Sequence, residues 1–233
     1  SVFGSFWPFK LISRSIFYRR TDKKLEQNIF DLHFKYPVGL SAGLDKNGEI
    51  APAMKDIGFG FSEVGSTTAR PCAGNPRPWF YRLPKSQTIV INAGLGNEGS
   101  AKILKRLSKY RTLSNFPIIL SVAKTNCKKV VSVSEGIDDY VTTLKRANGK
   151  PYVQMFEINI SCPNTYGGEP FTTPARLERL LKAIKKLNLS QPVTIKMPVD
   201  LSWDKFKELL DVILRYPIAA VTIANLFKDR SQL

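Results

Sequence analysis

The sequence predicts an α/β fold organised around a parallel sheet. Six short apolar runs, at residues 38–42, 60–64, 118–123, 153–160, 193–197 and 219–224, are near-continuous and partly β-branched, as strands buried on both faces are. Amphipathic helical patterns separate them. The runs recur at spacings of about 30 residues, the length of a βαβ unit.

Composition narrows the chemistry. The 233 residues are 43% hydrophobic and 23% charged, an ordinary globular balance. Thirty-five Lys and Arg against nineteen Asp and Glu leave a net charge of +16, which suits polyanions: nucleic acid, an anionic membrane surface or a phosphorylated ligand. A single histidine, His33, excludes a two-His metal site and argues against a Ser-His-Asp triad. Cys72, Cys127 and Cys162 lie far apart with no C-x-x-C spacing, so neither a disulfide framework nor a structural zinc is expected, and a reducing compartment is favoured. No metal site is expected, and no apolar run reaches the roughly 20 residues of a membrane-spanning helix.

Taken in order, residues 1–30 read as an amphipathic helical segment. Lys10, Arg14, Arg19, Arg20, Lys23 and Lys24 face only Asp22, while Phe9, Ile12 and Ile16 fall at i, i+3, i+7 among further aromatics. Such a helix suits a membrane interface; packing on the protein's own core is the other reading. From residue 36 to 233 the strand and helix patterns alternate. Residues 99–111 form a basic helix with Ile103, Leu107 and Tyr110 inward. Ile137, Tyr140, Val141 and Leu144 mark the next, closed by Asn148 and Gly149. Leu177, Leu180, Leu181, Ile184 and Leu187 mark another, opened by Thr173 and Pro174. Trp203, Phe206, Leu209, Leu210 and Ile213 mark the last, opened by Ser202 and stopped before Pro217. Residues 67–98 interrupt the alternation with Pro, Gly and Arg and end in a β-like run at 88–92; so long an excursion in a compact repeat is usually functional.

Ligands of parallel α/β folds sit beyond the carboxyl ends of the strands. There the sequence places Ala42-Gly43-Leu44-Asp45-Lys46-Asn47, Gly65-Ser66, Lys124, the segment from Asn159 through Cys162 to Thr165, Lys196, and Asn225. Three lysines and three asparagines converge without a histidine or a carboxylate pair. Such donors suit an anionic, amide-bearing planar ligand. The small Ala42 and Gly43 admit a flat ring against the backbone, Lys196 is placed to stabilise negative charge on it, and a thiol at Cys162 beside cations suits proton abstraction.

Several motifs then point to one family. Pro37-Val-Gly-Leu-Ser-Ala-Gly-Leu-Asp-Lys-Asn-Gly48, Gly58-Phe-Gly-Phe-Ser-Glu-Val-Gly-Ser66, Gly74-Asn-Pro-Arg-Pro78, Tyr81-Arg-Leu-Pro84 and Asn159-Ile-Ser-Cys-Pro-Asn-Thr165 resemble the dihydroorotate dehydrogenases, and the membrane-associated, quinone-using class more than the soluble ones. The resemblance implies a (β/α)8 TIM barrel, of which about six βα units are present in 36–233, with FMN at the carboxyl ends of its strands. A chain with six units in place of eight is expected to be a piece of a longer protein. It implies FMN contacts from Ala42, Gly43, Lys46, Ser66, Asn92, Ser121, Asn159, Lys196 and Ala224. Dihydroorotate or orotate contacts are implied for Lys46, Asn92, Asn159, Asn164 and Asn225. Cys162 falls at the catalytic base, taking the C5 proton of dihydroorotate while hydride leaves C6, and Lys196 stabilises the reduced flavin. Quinone is the implied electron acceptor, reached on the side of Arg82 through residues 1–30. The resemblance further implies that this segment makes a peripheral contact with a bacterial cytoplasmic or mitochondrial inner membrane.

The sequence also departs from the family. The quinone class carries serine as the base, the soluble classes cysteine. The loop after Asn92 reads Asn92-Ala-Gly-Leu-Gly-Asn97, where the family usually has Asn-Arg-x-Gly-Phe-Asn. Ser121 stands for an asparagine, and Ala224-Asn225-Leu226 for Thr-Asn-Thr. The competing functions are a soluble-class dihydroorotate dehydrogenase, an FMN-dependent dihydropyrimidine or dihydrouridine oxidoreductase, and an inactive barrel fragment serving as a binding module. Residues 74–84 and 159–165 favour free dihydroorotate, so no nucleic-acid partner is expected.

Overall fold

A computed structural model describes residues 15–16, 22–110, 115–162, 165–166 and 168–226. A short antiparallel hairpin comes first, β1 (Gln27–Ile29) and β2 (Leu32–Phe34). The helical segment expected over residues 1–30 lies mainly outside the described residues. Ser15 and Ile16 are helical within it, and its last residues enter the hairpin. Phe34 closes the hairpin onto the main body, edge-on to Phe61 with ring centroids 5.5 Å apart.

The main sheet contains β3 (Ser62–Thr67), β6 (Ile118–Val122), β7 (Met155–Asn159), β8 (Val193–Lys196) and β9 (Ala220–Thr222), all parallel and in that spatial order. Sequential parallel order, with helices in the connections, is the wall of a βα barrel. Every residue of β3, β6, β7 and β8 is buried, which is why β6, β7 and β8 are rich in apolar residues, whereas β3 buries Ser62, Glu63, Ser66 and Thr67 beside Val64. The run at 38–42 is reduced to one bridge, Leu40 with Ser62. It still hydrogen-bonds as a parallel neighbour: Leu40 N to Phe61 O at 3.0 Å and Glu63 N to Leu40 O at 2.7 Å.

Between the strands lie α1 (Ala51–Asp56), α2 (Ser100–Leu107), α3 (Val133–Ala147), α4 (Pro174–Lys185) and α5 (Trp203–Ile213). Their starts follow the sequence chemistry. Ser132 accepts from Glu135 N, and the Glu135 carboxylate accepts from Ser132 N, a reciprocal cap for α3. Pro174 fills the first position of α4. The buried faces, Ile103, Leu104 and Leu107 of α2 and Leu177, Leu180, Leu181 and Ile184 of α4 among them, form one core with Leu120, Phe156, Ile158 and Ile195 of the strands. In α5 the buried residues are Leu209, Val212 and Ile213. Trp203, expected on the inward stripe, is 70% exposed at the first helical position and stacks on Phe206.

The excursion at 67–98 holds a second hairpin, β4 (Phe80–Leu83) with β5 (Thr88–Ile91). Its β4 half lacks the apolar continuity of the other strands, and all four of its residues are at least partly exposed.

Candidate active site

A cavity of about 570 Å³ opens at the carboxyl ends of the parallel strands. Each wall follows from a local feature of the chain. Asp45, 2% exposed, accepts the N–H groups of Glu49, Ile50 and Ala51 at 2.7, 3.2 and 2.9 Å, so it satisfies the free amides at the start of α1. Burial raises its pKa, and those three backbone donors oppose the rise. The turn so fixed sets Lys46 into the cavity. Burial lowers the pKa of Lys46, with the Cys162 and Cys72 thiols pulling the other way.

In β3 the parallel register shifts between Val64 and Thr67, a bulge that turns Ser66 inward. Gly65 is required there: φ is +136°, and a Cβ would stand 2.6 Å from Ser121 O. In β7 and β8, Asn159 and Lys196 are register partners and both face the cavity. In the second hairpin, Phe80 pairs with Ile91 and Arg82 with Ile89, and all four line one wall.

Polar side chains knit these elements together. Asn159 Nδ2 donates to Ser66 Oγ at 2.8 Å. Asn225 Nδ2 donates to Asn159 Oδ1 at 3.1 Å and to Ser161 Oγ at 2.9 Å. Tyr140 OH, fully buried, donates to Asn159 O at 2.7 Å, and burial pushes its phenol pKa upward.

The cavity brings together Ala42, Gly43, Lys46, Ser66, Arg82, Asn159, Cys162, Lys196 and Asn225, all singled out by sequence. Three other candidates stand outside its lining. Asn92 accepts from Asn75 Nδ2 at 2.9 Å and donates its own N–H to Trp79 O at 2.8 Å. Ser121 lies behind Ser66, their Oγ atoms 3.0 Å apart. Ala224 precedes Asn225. Asn164 lies outside the described residues. Lys124 also lies away from the lining: it is buried, and its Nζ donates to Tyr166 O at 2.6 Å and Val130 O at 3.2 Å, which ties down the loop beside Cys162. Burial lowers its pKa.

Two functional candidates escaped the sequence: Glu63 and Glu157. Both carboxylates sit under the cavity against Lys196, whose Nζ is 3.7 Å from Glu63 Oε2 and 3.2 Å from Glu157 Oε1. Burial, with the Glu157 charge adding and Lys196 opposing, raises the Glu63 pKa to about 7. A glutamate inside an otherwise apolar strand run was the available signal, strengthened at Glu157 by its i, i+2 relation to Asn159. Chemically, the cavity offers a buried and a half-buried ammonium group, amide donors and one thiol against an apolar wall.

Residues 24–233 match the family described as Dihydroorotate dehydrogenase. A dihydroorotate dehydrogenase (quinone) of Mycolicibacterium smegmatis is 34% identical, over 91% of this chain and 58% of its own length. One of Chloroflexus aurantiacus is 32% identical, over 96% of this chain and 63% of its own length. The chain therefore spans about three-fifths of the curated relatives it matches. The crystal structure of DHODH from Eimeria tenella in complex with ferulenol matches with a TM-score of 0.82 and 24% identity, over 96% of this chain and 68% of that one, which establishes the barrel fold. On the family match across residues 24–233, this chain belongs to the dihydroorotate dehydrogenase family.

Proposed function

We propose that this protein oxidises dihydroorotate to orotate in pyrimidine biosynthesis, using bound FMN and passing electrons to a quinone. The observation that carries this reading is the convergence of Lys46, Asn159, Cys162, Lys196 and Asn225 on one cavity. The residues fit a flavin. Gly43 has φ +113°, and nothing lies within 4 Å of where its Cβ would stand, so a bare backbone face is open to a flat ring. Ala42 and Ser66 flank that face, and Lys196 and Asn159 supply donors to ring heteroatoms.

FMN would supply the acceptor for the hydride from C6 of dihydroorotate. The chain's own groups do the rest. Lys46 and Asn225 bind the anionic pyrimidine by charge and amide hydrogen bonds. Cys162 Sγ, as thiolate, takes the C5 proton, a step for which a thiol sharing a cavity with the ammonium groups of Lys46 and Lys196 is suited. Lys196 holds its ammonium where negative charge develops. The apolar wall of Phe80, Ile89 and Ile91 keeps water from the reacting atoms, and Arg82 stands on that wall.

The quinone acceptor is supported by the names of the relatives and by that wall. Among the described residues no helix is long and apolar enough to cross a membrane. A peripheral contact through residues 1–30, and so a place at a bacterial cytoplasmic or mitochondrial inner membrane, rests on their basic, aromatic sequence. Cys162 favours a second reading, the soluble class, with another acceptor. Steady-state oxidation of dihydroorotate by the full-length protein, with a short-chain quinone, fumarate or NAD as acceptor, separates them. Turnover with quinone alone supports the first reading, and turnover with fumarate or NAD supports the second.

A further inference from the structure

Three charged side chains are packed out of water beneath the cavity. Glu63 comes from β3, Glu157 from β7 and Lys196 from β8, with side chains 10%, 0% and 8% exposed. Both carboxyl groups lie against the same ammonium, Lys196 Nζ, at 3.7 Å from Glu63 Oε2 and 3.2 Å from Glu157 Oε1. Two ionised carboxylates against one ammonium leave an uncompensated negative charge where it is poorly solvated.

The donors around the pair are accounted for. Glu63 Oε2 accepts Ala42 N–H at 2.9 Å and the Ser41 hydroxyl at 3.4 Å. Glu157 Oε1 accepts the Ser121 hydroxyl at 3.1 Å and Lys196 Nζ at 3.2 Å. Glu157 Oε2 is buried and has no donor among the described residues. A buried carboxylate oxygen without a donor costs free energy comparable to a lost hydrogen bond. One proton between the two carboxyls supplies that donor and cancels the excess charge. Of the neighbouring elements, β6 presents the Ser121 hydroxyl to Glu157, and the turn after β9 presents the neutral Asn225 to Asn159 and Ser161. Lys46 lines the same cavity, and the ammonium of Lys196 is the cation in contact.

Resting on the flavin reading of the cavity, we propose that Glu63 and Glu157 share one proton and act as a positioning pair that keeps the Lys196 ammonium charged and directed at the cofactor. Either carboxylate alone neutralises Lys196; the second is tolerated because it is protonated. Burial of Glu63 and the like charge of Glu157 place the Glu63 titration near neutral pH.

The test uses the full-length protein labelled with ¹³C at the glutamate side-chain carboxyl. In the wild type, one coupled carboxyl titration is expected near neutral pH. It is lost in Glu63→Gln and equally in Glu157→Gln, because the surviving carboxylate ionises against Lys196. The glutamine amide takes the place of the shared proton, so both variants keep the hydrogen bond. If the near-neutral titration persists in Glu157→Gln, burial alone raises Glu63 and the pair is overturned. If all wild-type glutamates titrate in their ordinary range, the pair is overturned without any variant. A second readout is the midpoint potential of bound FMN against pH, where the wild type bends near neutrality and each single variant loses the bend. An unchanged bend in both variants overturns the role toward Lys196. FMN uptake with ordinary glutamate titrations removes the pair and keeps the flavin reading. A near-neutral titration in protein that takes up no FMN removes the flavin reading and the positioning role with it.

Discussion

Asn159 and Ser66 hydrogen-bond at 2.8 Å although their strands, β7 and β3, are not neighbours: β6 lies between them. Side chains of alternate strands meet on one face only when the sheet curls toward that face, so the bond reports the inward curvature of the barrel wall. Asn159 also accepts from Asn225, and so joins β3, β7 and the turn after β9. Asn159→Ala leaves Ser66 and Asn225 each short of a partner. Denaturant unfolding is expected to show a loss of about 1–3 kcal/mol, together with weaker flavin retention on gel filtration.

Gly65 lies one residue away, and its constraint is steric. Ala at this position meets Ser121 O at 2.6 Å and requires φ near +136°. Backbone atoms on both sides leave no flexible neighbour to move. Gly65→Ala is expected to destabilise by more than the roughly 1 kcal/mol that the same replacement gains at a compatible site, read as a lowered Tm and a poorly folded product.

Cys162 is the group assigned to move the C5 proton. Removing a positioned acid–base group typically costs about 10²–10⁴ in rate. Cys162→Ala should lose that much of the dihydroorotate half-reaction in rapid-mixing absorbance and keep its affinity for orotate. Cys162→Ser should retain part of the rate, with its pH profile displaced upward, because a hydroxyl is the weaker acid.

Glu63 links stability to pH. The folded state holds its proton up to about 7, whereas the unfolded chain releases it near the ordinary 4.5. The folded state therefore binds more protons between those values, and stability falls as pH rises. The stabilising contribution is complete below the lower value and is lost as pH passes the upper one. The slope is at most about 1.4 kcal/mol per pH unit. Urea midpoints of Glu63→Gln should therefore rise relative to wild type between acid and neutral pH.

The barrel was legible because buried parallel strands leave runs rich in apolar residues, and because residues such as Leu177 and Leu180 recur at helical spacing. The cavity was legible because its side chains sit at strand ends, where Lys46, Asn159 and Lys196 interrupt apolar patterns. Other features were not legible, each for a physical reason. The hairpin of β4 and β5 buries none of its strand residues fully, and three of the four in β4 are exposed, so no hydrophobic pattern marks β4. The β1 and β2 hairpin has three-residue strands, too short for a period to show. Lys124 follows a strand as Lys46 follows another, yet Tyr166 and Val130 carbonyls draw it into the loop, a tertiary contact that no local spacing encodes. Glu63 and Glu157 stand 94 positions apart, and only the sheet order and the register of β7 with β8 bring them both to Lys196.

The most direct test of the central claim is the visible spectrum of the full-length protein before and after anaerobic addition of dihydroorotate. The site described here requires flavin absorption that bleaches on addition, with Cys162→Ala retaining the colour and bleaching far more slowly. A yellow protein that dihydroorotate leaves unchanged contradicts the assigned substrate, and a colourless protein contradicts the flavin site itself.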